Sequence, residues 1–206
     1  MSLSDQARDL VTLAKASPSG RAILGITGEP GAGKSTLAEA LVAELGSEAV
    51  LVGMDGYHLS NAVLRDLGLL SVKGAPATFD AHGYVALLKR LAANDEPVVY
   101  APRFHREIEE SIAAEIAVPQ HVPLVVTEGI YLLLEQEPWA QVRELIGTIW
   151  FVEVPQALRL DRLVRRHEHF GRSPEAARAH SLGSDERNAE VIRAARGRAD
   201  RIVQGS

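Results

Sequence analysis

The stretch GITGEPGAGKST, residues 25–36, constrains this chain more than any other part of its sequence. Glycine adds no side chain to a core and loses the most backbone entropy on folding, so closely spaced glycines indicate a backbone that turns tightly beside a ligand. Residues 28–35 fit the pattern G-x-x-x-x-G-K-[ST], in which backbone N–H groups and a helix N-terminus surround phosphate oxygens. A short apolar run at 22–26 precedes the loop, and leucines at helical spacing follow it. This context predicts binding of a nucleoside triphosphate.

The pattern also predicts which atoms meet the phosphates. Lys34 should reach the β- and γ-phosphates, and the Ser35 hydroxyl should hold Mg²⁺, so ATP and Mg²⁺ are the expected cofactors. The predicted nucleotide-binding residues are Gly28, Glu29, Pro30, Gly31, Ala32, Gly33, Lys34, Ser35 and Thr36.

The composition predicts an ordinary soluble globular protein. The 206 residues are 46% hydrophobic and 24% charged, enough for one domain with a substantial core. A formal net charge of −5 argues against broad nucleic-acid binding, and no apolar run approaches the ~20 residues that span a bilayer. The chain has no cysteine, and its N-terminus has charges where a signal peptide needs an apolar centre. We therefore expect a cytoplasmic protein that binds neither nucleic acid nor membrane, and a homodimer is left open.

Apolar runs without alternation, separated by helical segments, predict a parallel sheet buried on both faces. We expect a three-layer α/β fold of the P-loop NTPase type, with about five parallel strands flanked by helices and a helical lid at about 159–183. The whole chain, 1–206, is expected to be one kinase domain. The predicted strands lie at 22–26, 50–52, 98–100, 122–126 and 146–152, and the last predicted helix runs from 185 to about 202 with Ser184 as its cap.

Two carboxylates follow predicted strands. Asp55 comes after the strand at 50–52 in LVGMDGYHL, and Glu128 ends the apolar run in VPLVVTEGIYLLL. The carboxyl ends of parallel strands meet at the edge where ligands bind. There Asp55 could accept the proton of an attacking hydroxyl, and Glu128 could serve Mg²⁺ or its water. The alternatives are a turn aspartate before Gly56 and a solvent-facing glutamate at a strand end.

Five arginines lie in ALRLDRLVRRHEHFGR, residues 157–172. Arg159, Arg162 and Arg166 share one helix face by their i, i+3 and i+7 spacing. A flexible break follows, which favours a lid that delivers Arg162 and Arg166 as catalytic residues to a transferring phosphoryl group. The alternative is a solvated helix face, partly neutralised by neighbouring acidic residues.

Substrate contacts are expected beside Asp55 and after the predicted strand at 98–100, since both regions should open on the same crevice. The histidine of MDGYHL could equally be a plain loop residue. The candidates are Asp55, His58, Tyr100, Arg103, His105, Arg106 and Tyr131.

Taken in order, the phosphate loop, MDGYHL, TEGIYLLL and RLDRLVRRH resemble the phosphoribulokinase, uridine kinase and bacterial pantothenate kinase family. KGAPATFD and SDERNA resemble a branch of that family named for fructose transport systems, and the likeness covers about residues 20–200. The resemblance implies that Asp55 is the catalytic aspartate, that Lys34 and Ser35 hold nucleotide and metal, that Glu128 is the second carboxylate, and that Arg162 and Arg166 are lid arginines. Gly-Tyr-His follows the aspartate where uridine kinases carry a Ser-Phe-Tyr-like stretch, which favours an acceptor other than a nucleoside.

The leading hypothesis is a kinase that moves the γ-phosphoryl group of ATP to a hydroxyl of a small metabolite, a fructose-type sugar by resemblance. Nucleoside and pantothenate acceptors remain alternatives. A GTPase switch is a different class: residues 80–83 match D-x-x-G, but no apolar strand leads into them and no Asn-Lys-x-Asp motif exists. A nucleotide-monophosphate kinase needs no general base, which would leave Asp55 unexplained.

Overall fold

A computed structural model describes residues 2–205 of the chain. Its strands are β1 (Ala22–Gly28), β2 (Ala49–Gly53), β3 (Val98–His105), β4 (Glu110–Pro119), β5 (Leu124–Glu128), β6 (Thr148–Glu153) and β7 (Arg201–Gln204). Its helices are α1 (Leu3–Ala16), α2 (Lys34–Leu45), α3 (Asn61–Asp66), α4 (Ala81–Ala93), α5 (Ala140–Leu145), α6 (Gln156–His169), α7 (Pro174–Leu182) and α8 (Ser184–Ala194).

The central sheet is parallel throughout. Its strand order is β2-β5-β1-β6-β7, so the expectation of five parallel strands is confirmed for the described residues. β1 lies in the middle and ends at the glycine loop. Glu128, at the end of β5, is in register with Ile26 of β1 and Gly53 of β2. This register brings the predicted second carboxylate to the carboxyl edge, between the strand that enters the glycine loop and the strand that leads to Asp55.

Both faces of the sheet are buried, which explains why its strands are apolar without alternation. In β1, Leu24 and Ile26 pack in the same core as α1 and α2, whereas Ile23 packs in the core that contains α4 and α5. β6 divides in the same way, with Trp150 on the α1–α2 side and Phe151 on the other. The molecule therefore has the three layers expected from the sequence.

Two strand expectations were wrong. The segment at 98–100 belongs to β3, which pairs antiparallel with β4 in a separate two-stranded hairpin and not with the parallel sheet. β4, with the sequence ESIAAEIAVP, was not predicted, although its partly alternating burial is typical of a strand with one solvated face. The hairpin, whose turn lies at 106–109, carries side chains to the carboxyl edge from outside the sheet.

The C-terminal helix is shorter than expected. α8 ends at Ala194, and a single 3₁₀ turn at Arg196–Arg198 leads into β7, which supplies the fifth parallel strand beside β6. Ser184 is the first residue of α8 and not its cap, since Gly183 occupies the cap position without a side-chain hydrogen bond. The strand RIVQ was missed because four residues are too few to reveal a period.

Candidate active site

The glycine loop between β1 and α2 requires glycine at two positions for steric reasons. Gly28 has a φ of +148°, and a β-carbon there would lie 2.4 Å from the carbonyl oxygen of Val152 in β6. Gly31 has a φ of +83°, and a β-carbon there would lie 2.7 Å from the carbonyl oxygen of Arg159 in α6. Real β-carbons essentially never approach so closely, and both φ values disfavour side chains. The loop is thus pressed against the sheet on one side and against α6 on the other.

Lys34, the first residue of α2, is the buried cation of this loop. Only 8% of the residue is exposed, and its Nζ donates to the carbonyl oxygen of Glu29 at 3.0 Å. Burial lowers the pKa of Lys34 to about 8, while the nearby Glu128 carboxylate acts in the opposite direction. The ammonium is therefore held in a desolvated position where phosphate oxygens would be strong partners.

Glu128 and Ser35 form the oxygen-rich part of the site. The Ser35 hydroxyl lies close enough to the Glu128 carboxylate to lower its pKa slightly. Burial and the neighbouring charge of Asp55 raise the pKa of Glu128 to about 7, against the attraction of Lys34. Two adjacent carboxylates and a hydroxyl are the hard oxygen donors that suit Mg²⁺, so the residues present fit the metal that the sequence implies.

Asp55 lies in the 3₁₀ turn Met54–Tyr57 that directly follows β2. Its Oδ2 accepts from Arg106 Nη2 at 2.9 Å, and its carbonyl oxygen lies 2.9 Å from His58 Nδ1. Asp55 contributes to the electrostatic field at both Lys34 and Glu128. These four predicted residues, Lys34, Ser35, Asp55 and Glu128, thus meet at one edge of the sheet.

The arginines of α6 separate into different environments. Arg162 lies over the loop, with Nη1 3.5 Å from the position that a β-carbon on Gly33 would occupy. Arg166 lines the crevice, and burial lowers the pKa of its guanidinium, with Arg106 acting in the same direction. Arg165 is exposed and pairs with Asp161.

Arg159 does not join this crevice face, contrary to the helical-spacing expectation. It is 1% exposed and forms ion pairs with Glu29, at 3.1 Å, and with Glu186 of α8. Arg193 of α8 donates to both oxygens of Glu29, at 3.0 and 2.7 Å, and approaches Glu186 at 3.2 Å. We call Glu29, Arg159, Glu186 and Arg193 the loop clamp. Sequence reasoning missed it because its members lie up to 164 positions apart.

Of the remaining substrate candidates, His58 and Arg106 line the crevice. The His58 ring contacts the rings of Phe79 and Phe104 in tilted arrangements, with centroids 3.9 and 4.7 Å away. Burial lowers the pKa of His58, and the adjacent Asp55 carboxylate opposes this shift. The result is a largely neutral aromatic wall beside Asp55.

The other candidates do not line the crevice. Tyr100 is exposed on β3, while Arg103 and His105 pair with Glu115 across the hairpin. Two other residues of the hairpin, Phe104 near the end of β3 and Arg106 in the turn, do line the crevice. Tyr131 is buried, and its hydroxyl donates to the Gly74 carbonyl at 2.7 Å, so it anchors the KGAPATFD loop.

Three further residues of the crevice were not among the predicted site residues. His167 Nε2 lies 2.7 Å from Asp185 Oδ2, and the His167 ring meets His180 edge-on at 4.7 Å. The three residues come from α6, α7 and α8, and all three line the crevice. Asp185 and Asn188, from SDERNA, also belong to this lining, so a segment that looked like an ordinary capped helix contributes to the site.

Together these elements enclose a crevice of about 490 Å³. This volume is in the range of small-molecule sites, which run to roughly 300–1,000 Å³. None of the described helices is long and apolar enough to cross a membrane.

Comparison with known proteins places the chain among kinases. The model of the Phosphoribulokinase / Uridine kinase family matches residues 23–206. The "ATP-dependent kinase-like protein notR'" of Aspergillus versicolor is 34% identical over 148 residues, which are 68% of this chain and 86% of that protein. The "Putative uridine kinase C227.14" of Schizosaccharomyces pombe is 31% identical over 71% of this chain and 66% of its own length.

Among solved structures, the "putative fructose transport system kinase" of Silicibacter sp. TM1040 superposes with a TM-score of 0.87. It is 35% identical, and the superposition covers 98% of this chain and 99% of that one. Similarity of this extent includes the sheet, the glycine loop and the helices α6 to α8. The chain therefore belongs to the Phosphoribulokinase / Uridine kinase family of P-loop kinases and is an ATP-binding phosphotransferase.

Proposed function

We propose that the protein transfers the γ-phosphoryl group of ATP to a hydroxyl of a small metabolite of the sugar type, with Mg²⁺ as cofactor. The observation that carries this proposal is the position of Asp55, in the same crevice as Lys34 and the Ser35–Glu128 pair. A carboxylate beside the γ-phosphate is what a hydroxyl acceptor requires, because its proton must leave as the new P–O bond forms.

Each residue then has one task. Asp55 accepts the acceptor's proton, and Lys34 neutralises the β- and γ-phosphates. Ser35 and Glu128 hold Mg²⁺, which when bound offsets phosphate charge. Arg162 and Arg166 stabilise the charge that develops on the transferring group. The whole chain acts as one kinase domain, with α6 and α7 as the lid expected at about 159–183.

The sugar-type acceptor is supported by the description of the Silicibacter relative and by the polar crevice beside an aromatic wall. A nucleoside is the second candidate. The Schizosaccharomyces relative is described as a uridine kinase, and the His58–Phe104 wall offers rings on which a base could stack. The GTPase alternative loses its support, because Asp80 caps α4 by accepting from Gly83 N at 2.8 Å, which accounts for the D-x-x-G match.

The direct test is an acceptor screen. ADP release from MgATP is measured with sugars, nucleosides and pantothenate, and the phosphorylated product is identified by mass spectrometry. Acceptor-dependent ADP release with a phosphorylated alcohol as product supports the proposal. Phosphorylation of a nucleoside monophosphate in place of an alcohol would contradict it.

Asp55→Asn gives the corresponding mechanistic prediction. The amide keeps the shape of the side chain but cannot take a proton, so the single-turnover rate should fall by about 10²–10⁴-fold. ATP affinity, measured by calorimetry, should change little. An unchanged single-turnover rate would exclude Asp55 as the base, and equal losses of rate and ATP affinity would assign it to the metal site instead.

A further inference from the structure

The charges that line the crevice are not balanced. Among the described residues, the lining contains six lysines and arginines and four aspartates and glutamates, although the whole chain carries a net charge of −5. Lys34 and Arg166 are needed by the nucleotide phosphates, and Asp55 and Glu128 by the proton and the metal. The side chains left for the acceptor are four basic and two acidic ones, an excess of two positive charges: Arg65, Lys73, Arg106, Arg172, Glu109 and Asp185.

Among these cations, Lys73 is partly buried and has no carboxylate oxygen of the described residues within hydrogen-bond distance, whereas Arg65 and Arg172 are exposed and Arg106 pairs with Asp55. Its side chain is only 14% exposed, and its contact with the Glu109 carboxylate is long, at 3.7 Å. Its close partners are neutral oxygens, the Asn61 side chain at 2.8 Å and the Glu109 carbonyl. A partly buried lysine with no carboxylate at hydrogen-bond distance favours an anionic ligand, which would supply a closer counter-charge.

The cationic groups of Lys73 and Arg106 both lie over the aromatic ring of Phe104. Lys73 Nζ is 5.2 Å and Arg106 Cζ is 6.0 Å from the centroid of Phe104. Both lie close enough to His58 to affect its ring electrostatically, and Arg106 also donates to Asp55. An acceptor with its hydroxyl at Asp55 and its carbon skeleton on the aromatic wall would therefore extend its far end toward two cations.

The Asp55–Arg106 hydrogen bond adds a second argument. Asp55 Oδ2 is occupied by the guanidinium, which competes with an acceptor hydroxyl for that oxygen. An acidic group on the acceptor would draw Arg106 to itself and leave Asp55 Oδ2 to the hydroxyl. A neutral acceptor offers no such exchange.

We propose, building on the function inferred above, that the acceptor is an anion, a hydroxyl-bearing carboxylate or phosphate monoester whose acidic group binds Lys73 and Arg106. Both groups share the chemistry that recognises them, an anion that accepts charge-assisted hydrogen bonds from an ammonium and a guanidinium. The phosphoryl group still goes to the hydroxyl, its proton to Asp55, and ADP leaves.

The first experiment compares acceptors in matched pairs that differ in charge. Glycerate and glycerol test a carboxylate, fructose 6-phosphate and fructose test a phosphate ester, and uridine represents neutral nucleosides. We expect kcat/KM to be higher by about tenfold or more for the charged member of at least one pair, and the favoured pair identifies the acidic group. The KM of that acceptor should rise with salt. Equal or better turnover of the neutral members would overturn the inference while the proposed function stands.

The second experiment does not depend on finding the acceptor. Binding of inorganic phosphate is measured by calorimetry to protein saturated with a non-hydrolysable MgATP analogue, so that the glycine loop is already occupied. Lys73→Gln and Arg106→Gln should each weaken this binding by about tenfold or more, whereas Lys89→Gln, on the exposed face of α4, should not. Phosphate binding that is undetectable, or equal in all four proteins, would overturn the anion site. Binding as expected without turnover of any alcohol would instead contradict the proposed function.

Discussion

Glu128 illustrates how burial changes the acidity of a carboxyl group at the edge of the sheet. Its carboxyl lies at the end of β5, beside Asp55, and both burial and that neighbouring charge raise its pKa to about 7. Lys34 compensates only in part, since burial lowers the pKa of that ammonium as well. The ionised form of Glu128 is therefore held at a free-energy cost that a divalent cation would remove.

This arrangement predicts a pH-dependent stability in metal-free protein. The folded pKa of Glu128 is raised above its unfolded value of 4.5, so its contribution to stability is fully present below about pH 4.5. That contribution is lost as pH rises through about 7, with a magnitude on the order of 1–3 kcal/mol. Urea unfolding in EDTA between pH 5 and 8 should show the decline.

Glu128→Gln is the matched variant for this measurement, because the amide cannot ionise. The variant should lose the part of the pH dependence that Glu128 contributes and should be more stable than the parent protein at pH 8 without metal. Identical pH profiles for the two proteins would show that Glu128 is not the titrating group. The pKa of Lys34 is lowered from 10.5 to about 8, so its titration falls in a separate, more alkaline window.

At this scale, sequence patterns predicted the residues that act close to their own motif. Lys34 and Ser35 belong to a local pattern with a fixed geometry, and Asp55 and Glu128 were found because parallel strands end at a common edge. The crevice-lining residues of the β3–β4 hairpin were harder to predict from sequence. Arg106 lines the crevice and Arg103 does not, a distinction that depends on a strand pairing the sequence did not reveal.

Among the elements, α6 carries arginines in three different environments. Arg159 is buried in the loop clamp, Arg162 and Arg166 lie at the loop and the crevice, and Arg165 is exposed beside Asp161. Helical spacing alone groups the first three together, whereas the packing of α6 against the glycine loop separates them.

Alanine substitutions along α6 should therefore give different results. Arg162→Ala and Arg166→Ala should lower kcat more than they weaken ATP binding, because a lid arginine meets charge mainly as the phosphoryl group transfers. Arg159→Ala should lower the free energy of unfolding by about 3 kcal/mol, since it removes a buried side chain and leaves Glu29 and Glu186 with Arg193 as their one arginine partner among the described residues. Steady-state kinetics, ATP calorimetry and urea unfolding measure the three quantities.

Arg165→Ala is the control on the same helix. Its ion pair with Asp161 is exposed, so the change in stability should be below about 1 kcal/mol and activity should be unaffected. If all four variants behaved like the parent protein, the arginines of α6 would form only a solvated helix face. The proposal that α6 is part of a lid would then be wrong.

Elements with a strong local sequence signal were predicted, and elements that depend on tertiary pairing were not. The four predicted strands that belong to the parallel sheet were placed within two residues of their observed bounds, because each is a short continuous apolar run. The β3–β4 hairpin and β7 were not predicted, because a strand's partner is decided by tertiary packing. β7 is held beside β6 partly by Asp200, whose Oδ2 accepts from Ile149 N at 2.7 Å.

In the whole molecule, an acidic chain encloses a crevice with an excess of basic side chains. Ligand binding to this crevice should stabilise the fold by mass action. At a MgATP concentration of 100 times Kd the gain is about 2.7 kcal/mol, which corresponds to a rise in Tm of roughly 5–10 °C for a protein of this size.

Thermal melts with MgATP, with ATP plus EDTA and without ligand test this expectation. Omitting the metal should reduce the shift, because Glu128 and Asp55 would then repel the triphosphate. Lys34→Ala should abolish most of the shift while keeping its circular dichroism spectrum. A Lys34→Ala protein that is stabilised by MgATP as much as the parent would contradict the assignment of the glycine loop as the ATP site.

The loop clamp has a consequence for the order in which the protein becomes competent. Glu29 lies near the start of the chain, and the arginine that binds both its carboxylate oxygens comes 164 residues later. During synthesis on a ribosome, the nucleotide loop therefore emerges long before the residue that fixes its carboxylate. A nascent chain halted before Arg193 would contain the whole glycine-loop sequence, but the loop clamp that holds Glu29 would be incomplete. We therefore expect ATP binding to begin only after α8 has been translated.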